Sequence, residues 1–199
     1  MMYFVRHQNW IHFIKLQNFF KSFFFIGWKM AMAKRVYQYY VEGEDEKALI
    51  NILKSELRCV EPGKVSVFNV VQNELTQARL RPLKTGTIVV LVYDTDKEKT
   101  DILKYNIRLL QKNSAIKEVL CVPQVKNLED VLVDSCGINK VTEITHSSTK
   151  TNFKRDLIRC TNLNSRLKAC GFKKEKLWKK LPQNGFNEFG NDAEKIKLK

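Results

Sequence analysis

Thr87-Ile88-Val89-Val90-Leu91-Val92-Tyr93-Asp94-Thr95-Asp96 is the stretch that decides how this chain folds. Its first seven residues carry no charge and are mostly β-branched, the pattern of a central parallel strand covered by helices on both faces. The run then ends abruptly in two acids. Side chains of an extended segment alternate between faces, so Asp94 and Asp96 are expected to point the same way at the rim of the sheet.

Upstream, Val36 to Val41 (Val-Tyr-Gln-Tyr-Tyr-Val) reads as a first strand ending at Glu42-Gly43. From Glu44 the period changes to that of a helix, with Ala48, Leu49, Ile52, Leu53 and Leu57 as the apolar stripe. Glu44, Asp45 and Glu46 fall in its first turn, where acids complement the helix dipole. Pro62-Gly63 breaks the chain before a second strand, Val65 to Val71. Glu74 to Leu83 reads as a short, weakly helical connection.

Downstream, Leu103, Ile107 and Leu110 mark a helix from about Lys99 to Asn113, and Glu118 to Val122 is a fourth strand. Asn127 is a good N-cap for a helix bearing Leu128, Val131, Leu132 and Cys136, which Gly137 stops. Strand and helix alternate throughout, so the expected fold is α/β, a parallel doubly wound sheet flanked by helices. Ligands of such sheets gather beyond the carboxyl ends of the strands, where Glu42, Asp94 and Asp96 lie. Carboxylates converging there repel unless a cation separates them, and Mg²⁺ is typically held by one or two carboxylates plus waters and phosphate oxygens. The plainer alternative is that Glu42 caps the following helix and the two aspartates are ordinary turn acids.

After Gly137 the chain turns polar and basic. His146 to Thr151 reads as a loop, with His146 a solvated histidine, followed by a helix from about Asn152 to Cys170 whose inner stripe is Phe153, Leu157, Cys160, Leu167 and Cys170. A last basic helix is expected over Lys173 to Leu181, and the chain from Asn184-Gly185 onward reads as loosely ordered. The reading therefore divides the chain into a leader (1–32), a sheet domain (33–137) and a basic helical C-terminal extension (138–199).

Charge supports that division. Of a formal net +14, residues 1–29 carry four basic and no acidic residues, 30–136 carry 16 basic against 15 acidic, and 137–199 carry 15 basic against six acidic. A nearly neutral body beside a basic extension favours a polyanionic partner. Five cysteines (Cys59, Cys121, Cys136, Cys160, Cys170) with no Cys-x-x-Cys pair argue against structural zinc and a disulfide framework, and point to a reducing, cytoplasmic setting.

The leader is rich in Phe and Trp and free of acids. Lys15 and Lys21 interrupt it short of the about 20 apolar residues of a membrane span. No stable membrane insertion is expected. An interfacial amphipathic anchor is the alternative, and the favoured reading is that the native chain starts at Met30 or Met32.

Taken in order, strand, Glu-Gly, helix, a second strand and helix, then a long apolar strand ending in Asp-x-Asp resemble the Toprim domain. Val41-Glu42-Gly43-Glu44-Asp45-Glu46 matches its glutamate motif and Val92-Tyr93-Asp94-Thr95-Asp96 its aspartate motif, over about Lys34 to Cys136. The small stand-alone members, OLD-type nucleases and RloB-like defence proteins, fit the chain length best. The resemblance implies Glu42 as general acid/base or metal ligand and Asp94 and Asp96 as ligands of Mg²⁺ or Mn²⁺.

Glu129 or Asp130 could complete a two-metal cluster, or serve only as dipole partners of their helix. Lys126 and Lys150 are candidates for stabilising transition-state phosphate charge. Lys150, Lys154, Arg155, Arg159, Arg166, Lys173 and Lys174 are the candidate nucleic-acid contacts. The expected activity is a Mg²⁺-dependent phosphodiesterase, a nuclease acting on RNA or DNA in phage defence or RNA processing, with an ATPase admitted as a further partner. A non-catalytic nucleic-acid-binding or partner-binding module, or a nucleotidyl transferase, would use the same features.

Overall fold

The structure, a computed structural model, describes residues 35–96 and 99–198. The proposed leader therefore lies outside the described residues. Four strands, β1 (Val36–Val41), β2 (Gly63–Val67), β3 (Thr87–Asp94) and β4 (Ile116–Gln124), form one sheet in the order β2-β1-β3-β4 with every pairing parallel. This is the expected α/β architecture. All eight residues of β3 are buried, as its unbroken apolar run requires of a strand covered on both faces.

The strand order reverses between β1 and β3, so the sheet's switch point lies between their carboxyl ends. One face is covered by α1 (Glu44–Ser55), α4 (Leu128–Cys136), α5 (Thr142–Thr145), α6 (Lys150–Arg159) and α7 (Leu163–Ala169). Here Tyr39, Val41, Val90 and Val92 of the strands pack with Leu49, Leu53, Leu132, Phe153, Leu157 and Leu167. On the other face α2 (Gln77–Leu80) and α3 (Asp101–Gln111) cover Tyr40, Val89, Leu91 and Tyr93. Fully buried Asn106 ties that layer together, accepting from Leu75 N–H at 2.7 Å and donating to the carbonyls of Val70 and Asn73 at 2.8 Å each.

Local signals set the helix ends. Asn127 caps α4 by accepting from Asp130 N–H at 3.0 Å, and Gly137 ends it in a left-handed conformation at φ 67°. Thr149 caps α6 in the same way, accepting from Asn152 N–H at 3.1 Å.

The C-terminal segment differs from its sequence reading. The single helix expected over 152–170 is two, because the chain leaves helical geometry at Cys160 (ψ 105°). Turns replace the expected helix over 173–181. The segment after Asn184 packs closely: Phe186, in a 3₁₀ turn (Phe186–Phe189), is fully buried and stacks on Tyr93 with centroids 5.8 Å apart. Asp192 then pairs with the β4 backbone at Cys121, its N–H donating at 2.7 Å and its carboxylate accepting at 2.9 Å. Beyond α8 (Ala193–Ile196), Lys197 bridges to Val60. Residues 35–199 thus form one compact unit, and the basic extension shares the core of the sheet domain. Of the tail's apolar residues, Phe186 packs on the α2/α3 face of the sheet, while Ala193 and Ile196, in one helical turn, join the core on the other face. A segment this short, split between two faces, gives too little period to read. Among the described residues no helix is long and apolar enough to cross a membrane.

Candidate functional site

The carboxylates gather at the carboxyl edge of β1 and β3. Register pairs Tyr40 with Leu91, so the two strands end side by side and release Glu42 and Asp94 next to the switch point. Asp94 closes β3 opposite Gln124 of β4, and Gln124 Nε2 donates to Asp94 Oδ1 at 2.7 Å. Asp94 is 8 % exposed. Burial pushes its carboxyl up to about 7, the charges of Glu42 and Asp96 push the same way, and Gln124 and Lys154 oppose them. Glu42 is half-buried and Asp96 exposed. Thr95 holds the turn between the two aspartates, its N–H donating to the carbonyls of Gln124 at 3.1 Å and Lys126 at 2.8 Å.

A second group of acids comes from the helices. Asp45 and Glu46, both in the first turn of α1, are 7 % and 2 % exposed. Glu46 Oε2 accepts from Gly43 N–H at 2.7 Å, the backbone half of a capping box. Its carboxyl lies well above the usual range because it is buried, because Asp45 adjoins it, and because Asp94 adds further negative charge. A Cβ at position 43 would lie 2.6 Å from Asp45 Oδ1 and 2.9 Å from Glu46 Oε2, so both carboxylates would have to shift to admit one. Glu129, in the first turn of α4, is 5 % exposed.

One basic side chain enters this group. Lys154 Nζ of α6 stands 3.5 Å from Asp45 Oδ2 and 3.7 Å from Glu129 Oε1. Burial works against its charge, but Asp45, Glu129, Glu46 and Asp94 outweigh it and hold the ammonium above the ordinary lysine value. Asp45 Oδ2 is buried and has no hydrogen-bond partner.

The other sequence candidates divide. Glu129 joins the cluster, and with Asp130, Lys140, Thr149 and Lys150 it lines an adjoining cleft of about 340 Å³. Lys150 is thereby brought to the site's margin, whereas Lys126 is exposed and meets Thr95 through its backbone carbonyl. Lys154 was expected on a nucleic-acid-binding face and instead pairs with two site acids. Arg155 pairs with Asp156 at 3.2 Å, Arg166 donates to Asn162 and to the Ile144 carbonyl, and Lys174 donates to the Leu198 carbonyl at 3.0 Å. Arg159 and Lys173 are exposed.

Asp45 and Glu46 were read only as dipole partners. Their place was visible, because they lie one turn before Leu49 and Ile50 and so continue the buried stripe of α1. The entry of Lys154 had no such signal, since it depends on how α6 docks against α1.

All the acidic ligand candidates donate oxygen, which suits a hard divalent cation. Asp45 Oδ2 has Lys154 at 3.5 Å but no hydrogen bond, and the raised Asp94 carboxyl marks an edge short of positive charge. Among the described residues no three of Asp, Glu, His or Cys are arranged as a ready cage for a metal ion. No protein-family model, curated protein or solved structure matches this chain.

Proposed function

We propose that this chain is a Toprim-type, divalent-metal-dependent phosphotransfer protein, and within that class a small nuclease cleaving phosphodiesters of RNA or DNA. The observation that carries the reading is the meeting of Glu42 and Asp94 beside the switch point of a parallel sheet, with Asp94 pushed up to about 7 by burial and by Glu42 and Asp96. Gln124 gives Asp94 a neutral hydrogen bond and Lys154 opposes its shift, yet burial and the charges of Glu42 and Asp96 prevail, a cost that proteins sustain chiefly at functional sites.

Glu42, Asp94 and Asp96 would hold Mg²⁺ or Mn²⁺, whose charge would neutralise substrate phosphate oxygens. Gln124 orients Asp94 by its 2.7 Å hydrogen bond. Glu42, half-buried at the strand end, would take a proton from the attacking water. Lys150, at the cleft margin, would meet phosphate.

The test is cleavage of a mixed panel of tRNA, single-stranded DNA and duplex DNA with Mg²⁺ or Mn²⁺, read on a denaturing gel. Asp94→Asn and Glu42→Gln should each lose orders of magnitude in rate while remaining folded. Cleavage by both variants at the parent rate would sink the mechanism. Binding that survives chelator, without turnover under any metal, would mark a binding module.

A further inference from the structure

The site acids form two groups on different elements. Glu42, Asp94 and Asp96 stand at the strand edge, whereas Asp45, Glu46 and Glu129 are carried in the first turns of α1 and α4. Catalytic sites with two metal ions set them about 3.5–4 Å apart, each needing its own share of carboxylates. In the inner group, Lys154 reaches acids of both helices, Asp45 and Glu129.

The ammonium sits 3.5 Å from Asp45 Oδ2 and 3.7 Å from Glu129 Oε1, shared between acids of two helices. At 3.5 Å it makes a loose ion pair and no hydrogen bond with Asp45 Oδ2, on a residue 7 % exposed. That is how a cation balancing a cluster stands, in contrast to a directional ion pair. The delivery is rigid: Phe153 and Leu157, both buried, dock α6 in the shared core, and Thr149 caps its start. Two carboxylates this deeply buried need a positive charge nearby.

The geometry points to Lys154 as a tethered replacement for a second metal ion: the site takes one divalent cation at Glu42, Asp94 and Asp96, and the ammonium serves Asp45 and Glu129. This rests on the metal-dependent reading above and adds the number of ions and the residue that fixes it. Removing the ammonium should open the inner acids to a second cation.

The experiment is Mn²⁺ binding to the full chain at pH 8, counted by electron paramagnetic resonance of the free ion. The parent should bind one Mn²⁺, Lys154→Met two, and Lys154→Arg one; Lys154→Met with Glu129→Gln should return to one. In chelator Lys154→Met should melt below the parent, and Mn²⁺ should raise its midpoint by more than it raises the parent's. Lys154→Gln gives the same count should the Met variant not fold. A parent that binds two ions, or a Lys154→Met that binds one with parental affinity, overturns the inference while leaving the metal site standing. A parent that binds none at millimolar Mn²⁺ removes the metal site itself, and the inference with it.

Discussion

Replacing Asp94 by Asn should stabilise the metal-free protein at pH 8, and by less than half as much at pH 5. Asp94 is 8 % exposed, and its carboxyl is raised from 3.8 to about 7. Between those values the unfolded chain has released this proton and the native chain still holds it. Native stability is therefore highest at the acid end and falls as pH rises through about 7. At about 1.4 kcal/mol per unit the full loss is about 4 kcal/mol, and relaxation around a charged Asp94 makes about 2–4 kcal/mol the working expectation. Asn keeps the Oδ1 acceptor that Gln124 Nε2 reaches at 2.7 Å, and it never ionises beside Glu42 and Asp96. For a unit of this size, 1 kcal/mol moves the melting midpoint by about 2–4 °C, so a gain of roughly 5–15 °C is expected at pH 8. The assay is thermal unfolding by circular dichroism in chelator at both pH values, repeated with Mg²⁺. Mg²⁺ should stabilise the parent at pH 8 and have little effect on the variant. A variant less stable than the parent at pH 8, or equally shifted at both pH values, would refute the reasoning, because Asp94 would then be a structural aspartate that its surroundings favour charged.

Further perturbations test the parts around it. Gly43→Ala brings a Cβ to within 3.0 Å of both Asp45 and Glu46 and should cost about 1–3 kcal/mol, read by urea unfolding, with weakened Mn²⁺ binding. Phe186→Ala, at a fully buried ring stacked on Tyr93, should cost about 3–5 kcal/mol; a loss under 1 kcal/mol would restore the view of a loose tail. Asn106→Leu removes three buried hydrogen bonds and leaves Leu75 N–H and two carbonyls unpaired, so the chain should unfold at clearly lower urea. If Arg159 and Lys173 contact phosphates, Ala at each should flatten the salt dependence of nucleic-acid affinity by about one unit of log–log slope and leave Mn²⁺ binding unchanged.

The sheet was legible because its signals are local and repeated. An apolar run such as Thr87–Tyr93 can be satisfied only by a strand covered on both sides, and an acid at its end can lie only at the rim. Asn127 and Gly137 fixed a helix between them for equally local reasons, a side-chain acceptor at one end and a left-handed residue at the other. The strand-end acids followed from these elements. Of the helix-borne acids Glu129 was a candidate, but Asp45 and Glu46 were not, since charge in a first turn is ordinarily solvated, and only the stripe running back from Leu49 to Asp45 told otherwise. The tail was misread because Phe186 and Ile196 bury themselves at contacts far apart in sequence, which neither a period of 3.6 nor one of 2 can register.

Charge counted by segment suggested a neutral sheet domain and a separate basic grip, and the packing gives those numbers another meaning. Six carboxylates, Glu42, Asp45, Glu46, Asp94, Asp96 and Glu129, meet near the edge of the supposedly neutral body, and the basic side chain paired with two of them, Lys154, comes from the extension. A phosphate backbone approaching that edge meets net negative charge until a cation is supplied. A basic surface elsewhere cannot remove this local repulsion, because fields from solvent-exposed charges fade over about 8–10 Å at ordinary salt. A divalent metal bound there, as proposed, and Lys154 would therefore act at closer range than the rest of the basic extension. That is why α6 has to share a core with α1: an ammonium on a mobile tail would spend its time in water, whereas one on a docked helix stays within reach of Asp45 and Glu129.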